Sequence, residues 1–164
     1  MQNGPAEAKL TWRSRQMRPR VFAIALTLAI ACYGFFTWVL WPVKISGESM
    51  LPNFRNGSRH FVNKTAYWSA RPQRGDVVGL RAPDGDVLIK RIVGLPGEEV
   101  DLYKGQITIN GVVLNEPYAR SRIPFTNDAP TVLGPYEYFV AGDNRGISVF
   151  GKVSEKHILG RIVF

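Results

Sequence analysis

Hydrophobic and polar positions fall into two regimes along the chain. From Val21 to Trp41 the sequence VFAIALTLAIACYGFFTWVLW runs for 21 residues without a charge. From Pro42 onward, short β-branched runs are cut by turn signals at intervals of about eight to twelve residues. The first regime predicts a single helix. At ~1.5 Å rise per residue it is about 31 Å long, matching the roughly 30 Å hydrocarbon core of a bilayer. Tyr33, Trp38 and Trp41 gather toward its far end, where amphipathic rings favour the interface, and Pro42 is expected to stop it. A cleavable secretory signal has a shorter apolar region and a small-residue cleavage site, whereas this run ends in bulky residues. A buried core helix is rarely apolar all round over such a length. A membrane anchor is therefore expected over residues 21–41, with Cys32 inside it as an apolar filler.

The second regime predicts strands. Asp76–Leu80 and Asp86–Val93 flank the turn Ala82-Pro83-Asp84-Gly85 and should form a hairpin. Glu99–Leu102 is a short strand after Gly94-Leu95-Pro96-Gly97. Gln106–Leu114 holds Asn110-Gly111 between two alternating runs, a strong hairpin signal. Tyr136–Ala141 and His157–Phe164 complete the set. No segment in this region has a helical period and no repeat is present. The expected fold is mostly β: one N-terminal transmembrane helix, then a partly closed antiparallel β domain over residues 42–164. Residues 115–135 carry four Pro and little periodicity, which fits either a surface loop or a flap beside a binding site.

Charge then sets the topology. Residues 1–20 hold five cations (Lys9, Arg13, Arg15, Arg18, Arg20) against Glu7. This basic tail predicts a cytoplasmic N-terminus, with residues 43–164 on the opposite side of the membrane. The net charge of +8 first brings nucleic acid or an anionic membrane to mind. Half of that charge, however, belongs to the tail, where topology and anionic lipid account for it. The remaining cations are scattered, with no basic helix or stacked-aromatic motif, so no nucleic-acid partner is expected. One Cys and two His leave no disulfide framework and too few ligands for a zinc site; no metal or cofactor is expected.

Two short settings place polar groups among apolar ones. In Ile45-Ser46-Gly47-Glu48-Ser49-Met50-Leu51-Pro52, Ser49 sits in a turn, which by itself fits an ordinary turn serine as well as a nucleophile. In Val87–Val93 the alternation of a strand puts Leu88, Lys90 and Ile92 on one face and Val87, Ile89, Arg91 and Val93 on the other. A buried Lys90 would have its pKa lowered and would act as a general base; Arg91 cannot, because guanidinium does not deprotonate. Snorkelling to solvent, or pairing with an acid, is the alternative for Lys90.

Four blocks, Ser46–Pro52 (SGESMLP), Arg74–Val78 (RGDVV), Lys90–Glu98 (KRIVGLPGE) and Gly142–Arg145 (GDNR), occur in this order after the apolar run. Together they resemble type I signal peptidases over the whole β region. The resemblance implies a serine endopeptidase on an extracytoplasmic β fold, with Ser49 as nucleophile and Lys90 as general base. It further implies that the Ser49 N–H stabilises the oxyanion and that Ser148 orients the lysine. Some relatives carry a hydroxyl two residues before the nucleophile, where this chain has Gly47. The family's Asp-Ser-Arg is replaced by Phe150, Gly151 and Lys152, so an ion pair near the site is expected to be missing.

The implied substrates are signal peptides of exported preproteins, cut after small residues at the first and third positions before the scissile bond. Ile45, Met50, Leu88 and Ile89 are expected to line the small pockets, although Leu88 reads equally well as plain core. The expected location is the bacterial cytoplasmic membrane, with the mitochondrial inner membrane as the alternative, and the expected state is a monomer. Two other readings stand beside this one: a peptidase dedicated to one substrate class, such as a conjugative pilin, and a silent relative that binds exported segments without cutting them.

Overall fold

The computed structural model describes residues 19–123 and 129–163. Lys9, Arg13, Arg15 and Arg18 of the basic tail lie outside the described residues.

The apolar run forms helix α1, Pro19–Val39, with no buried residue and a mean hydropathy of 1.9. It has the expected 21 residues but starts and ends two residues earlier than the uncharged run. Pro19 is favoured at a first helical position, where its missing N–H costs nothing. At the other end, Lys64 donates to the carbonyls of Thr37 (from Nζ, 3.0 Å) and Val39 (from its backbone N–H, 2.9 Å), satisfying groups that a helix leaves open. Leu40 and Trp41 instead enter β1 (Leu40–Lys44). Pro42 thus lies within a strand, which is tolerated because β1 is at the edge of its sheet.

The predicted hairpins form nearly where the turn chemistry puts them. They are β3 (Val77–Arg81) with β4 (Val87–Gly94), and β6 (Gln106–Ile109) with β7 (Val112–Val113) around Asn110-Gly111. β5 (Glu99–Tyr103), β9 (Glu137–Ala141) and β11 (Ile158–Val163) are the other expected strands. Pattern reading missed β1, β2 (Arg59–Asn63), β8 (Thr131–Val132) and β10 (Gly151–Ser154). β1, β2 and β10 carry Pro, His, Lys or Gly where an alternating strand would show β-branched residues. Their pairing with neighbours, not their propensity, makes them strands.

Two antiparallel sheets result, in the orders β1-β2-β11-β3-β4-β9-β10 and β7-β6-β5-β8, and neither closes on itself. Three clusters fill the domain. Ile45, Met50, Val62, Val77, Ile89 and Ile162 pack on one face of the large sheet. Val78, Leu80, Ile92, Tyr138 and Val140 pack on the other. Val93, Val100, Ile107, Leu133 and Phe139 join the two sheets. Gly94 makes that junction possible: a Cβ there would stand 2.7 Å from Val100 Cγ2 and 2.9 Å from Phe139 Cβ. Phe150 packs onto the junction, stacked on Phe139 with centroids 6.4 Å apart.

Candidate active site

The turn bearing Ser49 is closed by backbone bonds at both ends. Ile45 N–H donates to Ser58 O (2.9 Å), Gly57 N–H to Ile45 O (2.8 Å), and Phe54 N–H to Met50 O (2.9 Å). Met50 and Ile45, 1% and 3% exposed, anchor the turn in the cluster with Val62, Val77 and Ile89. Ser49 itself is half-buried, between a buried methionine and an exposed glutamate. The alternation of apolar and polar residues here is therefore that of an anchored loop, held at fixed points with its serine at the surface.

Lys90 is on β4, opposite Val78. It is 6% exposed, so it does not snorkel, and no described carboxylate pairs with it. Its Nζ donates to Ser148 Oγ at 3.2 Å. Burial pushes the Lys90 amine below its ordinary pKa, with no opposing charge to restore it. The Ser148 hydroxyl is saturated: it also accepts from Gly142 N–H (2.8 Å) and gives its own proton to Val149 O (3.0 Å). The oxygen that meets the lysine is thereby fixed in position.

Gly142 brings the two settings together. Arg91 is paired with Ala141, so Gly142, the residue just after β9, comes beside Lys90. A Cβ on Gly142 would overlap both Ser148 Oγ and the Ser49 carbonyl oxygen. The Ser49 carbonyl accepts from Asn144 N–H (2.9 Å), tying the serine turn to the same segment. A cavity of about 40 Å³ is lined by Ser49 and Lys90 together with all four expected pocket residues, Ile45, Met50, Leu88 and Ile89. Ser46 and Val87 complete its wall. Leu88 is 44% exposed, so it is not plain core.

Sequence reasoning missed the network behind the cavity. Arg91, adjacent to Lys90, points to the other face and forms a two-pronged pair with Asp143, Nε to Oδ1 at 2.8 Å and Nη2 to Oδ2 at 2.7 Å. Asp143 is fully buried and also accepts from Asn53 Nδ2 (2.8 Å), four residues beyond Ser49. One carboxylate therefore holds the lysine strand and the serine turn together. The Tyr118 ring covers the Arg91 guanidinium at 4.2 Å, and Tyr118 O accepts from Asn53 (2.9 Å). Glu116 pairs with Arg145 (2.6 Å), which is 1% exposed. Residues 116–120 are thus a strap against Asp143–Arg145; residues 124–128 lie outside the described residues. The missed signal was Arg91 itself: a cation that cannot deprotonate, inside a strand, requires a carboxylate.

The replaced block behaves differently from its neighbours. Phe150 turns into the junction between the sheets, and Lys152 pairs with Glu137 at 3.0 Å. Neither lines the small cavity.

Comparisons with known proteins place the chain in a family. The family model described as signal peptidase, peptidase S26, matches residues 17–164. Signal peptidase I S of Bacillus subtilis is 33% identical over 160 residues, covering 88% of this chain and 85% of that protein. Signal peptidase IB of Staphylococcus aureus is 28% identical over 172 residues, covering 90% of each. The crystal structure of a signal peptidase I from Enterococcus faecalis aligns with 30% identity and a TM-score of 0.48, over 57% of this chain and 97% of that one.

Proposed function

The chain belongs to the peptidase S26 family of signal peptidases, and on that premise we propose that it is a membrane-anchored serine endopeptidase cleaving signal peptides from exported preproteins with a Ser49–Lys90 dyad. The observation that carries this reading is the buried Lys90 amine, partnered by a hydroxyl rather than a carboxylate, on the wall of a cavity it shares with Ser49.

Neutral Lys90 takes the proton from Ser49 Oγ as that oxygen attacks the scissile carbonyl. The resulting oxyanion meets the Ser49 N–H, which donates to no other described residue. Collapse breaks the C–N bond, and the Lys90 ammonium gives its proton to the departing amine. Lys90 then deprotonates a water that attacks the acyl ester; the bond to Ser49 Oγ breaks, and the Lys90 ammonium returns the proton to that oxygen. Ser148 holds the amine throughout, because its own proton is committed to Val149 O and an acceptor face is left for the lysine.

The role of Ile45, Met50, Leu88 and Ile89 is to admit only small side chains. A cavity of about 40 Å³ walled by these aliphatic side chains favours small side chains over bulky ones. Helix α1 is the anchor, the basic tail stays in the cytoplasm, and the β domain works as a monomer on the far side of the bacterial cytoplasmic membrane. The bacterial relatives favour this location over the mitochondrial one. At the small cavity a general rather than a dedicated selection of residues fits best, since the altered residues 150–152 do not line it. A silent relative fits poorly, because an unpaired buried lysine costs stability and does nothing for a protein that only binds.

The test is cleavage of a preprotein by the detergent-solubilised chain. Ser49→Ala and Lys90→Ala should each abolish it while the β domain stays folded by circular dichroism. Lys90→Arg should be equally inactive, because it keeps the cation and loses the base. Retained processing in either alanine variant refutes the dyad.

A further inference from the structure

The face of the large sheet that carries Leu88 and Lys90 opens, beyond the small cavity, into a much larger groove. It has a volume of about 590 Å³ and lies between the β3–β4 hairpin and β10. Leu80, Ala82, Pro83 and Leu88 form one wall and Val153 and Ser154 the other, and Arg81, Lys152 and His157 also line it. Leu80 and Leu88 are opposite each other across β3 and β4. Leu80 belongs to the cluster with Val78, Ile92, Tyr138 and Val140, onto which Val153 also packs. The groove is therefore the unfilled end of that apolar face. Strands β3–β4 and β10 are separated by β9 in the sheet, so walls from both mean that this face is concave here. Its size falls within the roughly 300–1,000 Å³ typical of ligand clefts.

Leu88 lines both the groove and the cavity that holds Ser49 and Lys90. Along β4, Leu88 is two residues from Lys90 on the same face of the strand, and it is 44% exposed with nothing covering it. A chain lying with its scissile bond at Ser49 thus passes directly from the small cavity onto an apolar surface. The substrate class carries a matching segment. A signal peptide has an apolar stretch of about 7–15 residues before its small-residue cleavage site.

We propose that this groove is a binding site for apolar side chains of the preprotein, from the stretch that precedes the scissile bond. This rests on the signal-peptidase reading above and extends it: the small cavity selects the residues at the cut, and the groove selects the apolar segment leading to it. A concave site with two walls suits a chain segment better than a flat bilayer surface.

The experiment uses the full-length chain in detergent and three substrates: a preprotein, the same preprotein with its apolar stretch replaced by Ser and Asn, and a short peptide covering only the residues flanking the cut. The groove is filled by Ser154→Trp or, from the opposite wall, by Ala82→Trp. Ser154 makes no side-chain cap bond to the 3₁₀ turn that follows it, so no hydrogen bond is lost there.

The unaltered chain should prefer the apolar preprotein over the polar one by about tenfold or more in kcat/KM, the scale set by burying one or two aliphatic side chains. In the filled variants the ratio should collapse to within about twofold, with short-peptide turnover unchanged. A ratio that persists in both folded variants overturns the proposal. So does an equal loss on the short peptide, or a preference that maps to residues after the cut. A ratio that persists, with the filled variants losing activity only in vesicles of phosphatidylglycerol and phosphatidylethanolamine and not in detergent, also overturns it, in favour of a lipid contact. Short-peptide cleavage surviving in Ser49→Ala would instead sink the dyad and leave the groove ratio readable on its own.

Discussion

Replacing Asp143 by asparagine tests whether one carboxylate holds the two halves of the site together. The substitution keeps the shape of the side chain and removes its charge. Arg91 keeps its charge inside the domain, its side chain 13% exposed, and Asp143 is the carboxylate that faces it. Removing one member of a buried pair typically costs about 3–5 kcal/mol, because the other charge is left uncompensated. The introduced amide retains one acceptor oxygen, and the Tyr118 ring still covers the guanidinium, so the low end, about 3 kcal/mol, is expected. For a chain of this length that corresponds to roughly 6–12 °C in Tm.

The same change releases Asn53 from Asp143 and so loosens the turn bearing Ser49. Peptidase activity at about 20 °C, well below the new Tm, should therefore fall by an order of magnitude or more. A paired Arg91→Met, Asp143→Leu variant separates the two effects. It removes both charges and should recover most of the stability, yet stay impaired, because Asn53 still lacks its anchor. Thermal melts by circular dichroism and preprotein cleavage are the readouts. A loss in Asp143→Asn below about 1 kcal/mol, or full activity in the paired variant, would refute the reasoning.

Other perturbations reach the site from different sides. Gly142→Ala places a methyl group against Ser148 Oγ and the Ser49 carbonyl, so turnover should drop by roughly 100-fold or more with a stability loss of about 1–3 kcal/mol; near-normal cleavage would show the segment yields freely. Lys90 gives a pH signature. Its folded pKa is lowered, so between that value and the ordinary one near 10.5 the unfolded chain binds more protons and stability rises with pH. Lys90→Met should be inactive, more stable near neutrality, and lack this contribution, as urea melts across pH will show. In the active chain, kcat/KM should rise with an apparent pKa below that of free lysine. Phe150→Asp removes the ring stacked on Phe139 and should cost about 1–3 kcal/mol in urea melts while leaving the preference for small residues at the cut unchanged.

What could be read along the chain, and what could not, follows from how far each interaction reaches. The hairpins at Ala82–Gly85 and Asn110-Gly111 are set by two to four consecutive residues, and both form as expected. The helix has the length of its apolar run, but its end is moved by partners elsewhere. Lys64 takes up the carbonyls of Thr37 and Val39, and Leu40–Lys44 pairs with Arg59–Asn63, so the chain leaves the helix before Pro42 demands it.

In the site the same division holds. Ser49, Lys90 and Ser148 are singled out by strand alternation and by the motifs that carry the resemblance, and they stand together: Lys90 shares a cavity with Ser49 and bonds Ser148. Asp143 looks like part of a turn, because its partners are 52 and 90 residues away in Arg91 and Asn53. Alternation alone nevertheless constrained more than it seemed to. Adjacent cations in one strand must face opposite sides, and the two faces demand opposite solutions. An amine can be buried by giving up its charge, and Lys90 is left without a carboxylate. A guanidinium cannot, and Arg91 must be met by one. The buried amine and the pair that holds its strand in place are thus two consequences of a single Lys-Arg step.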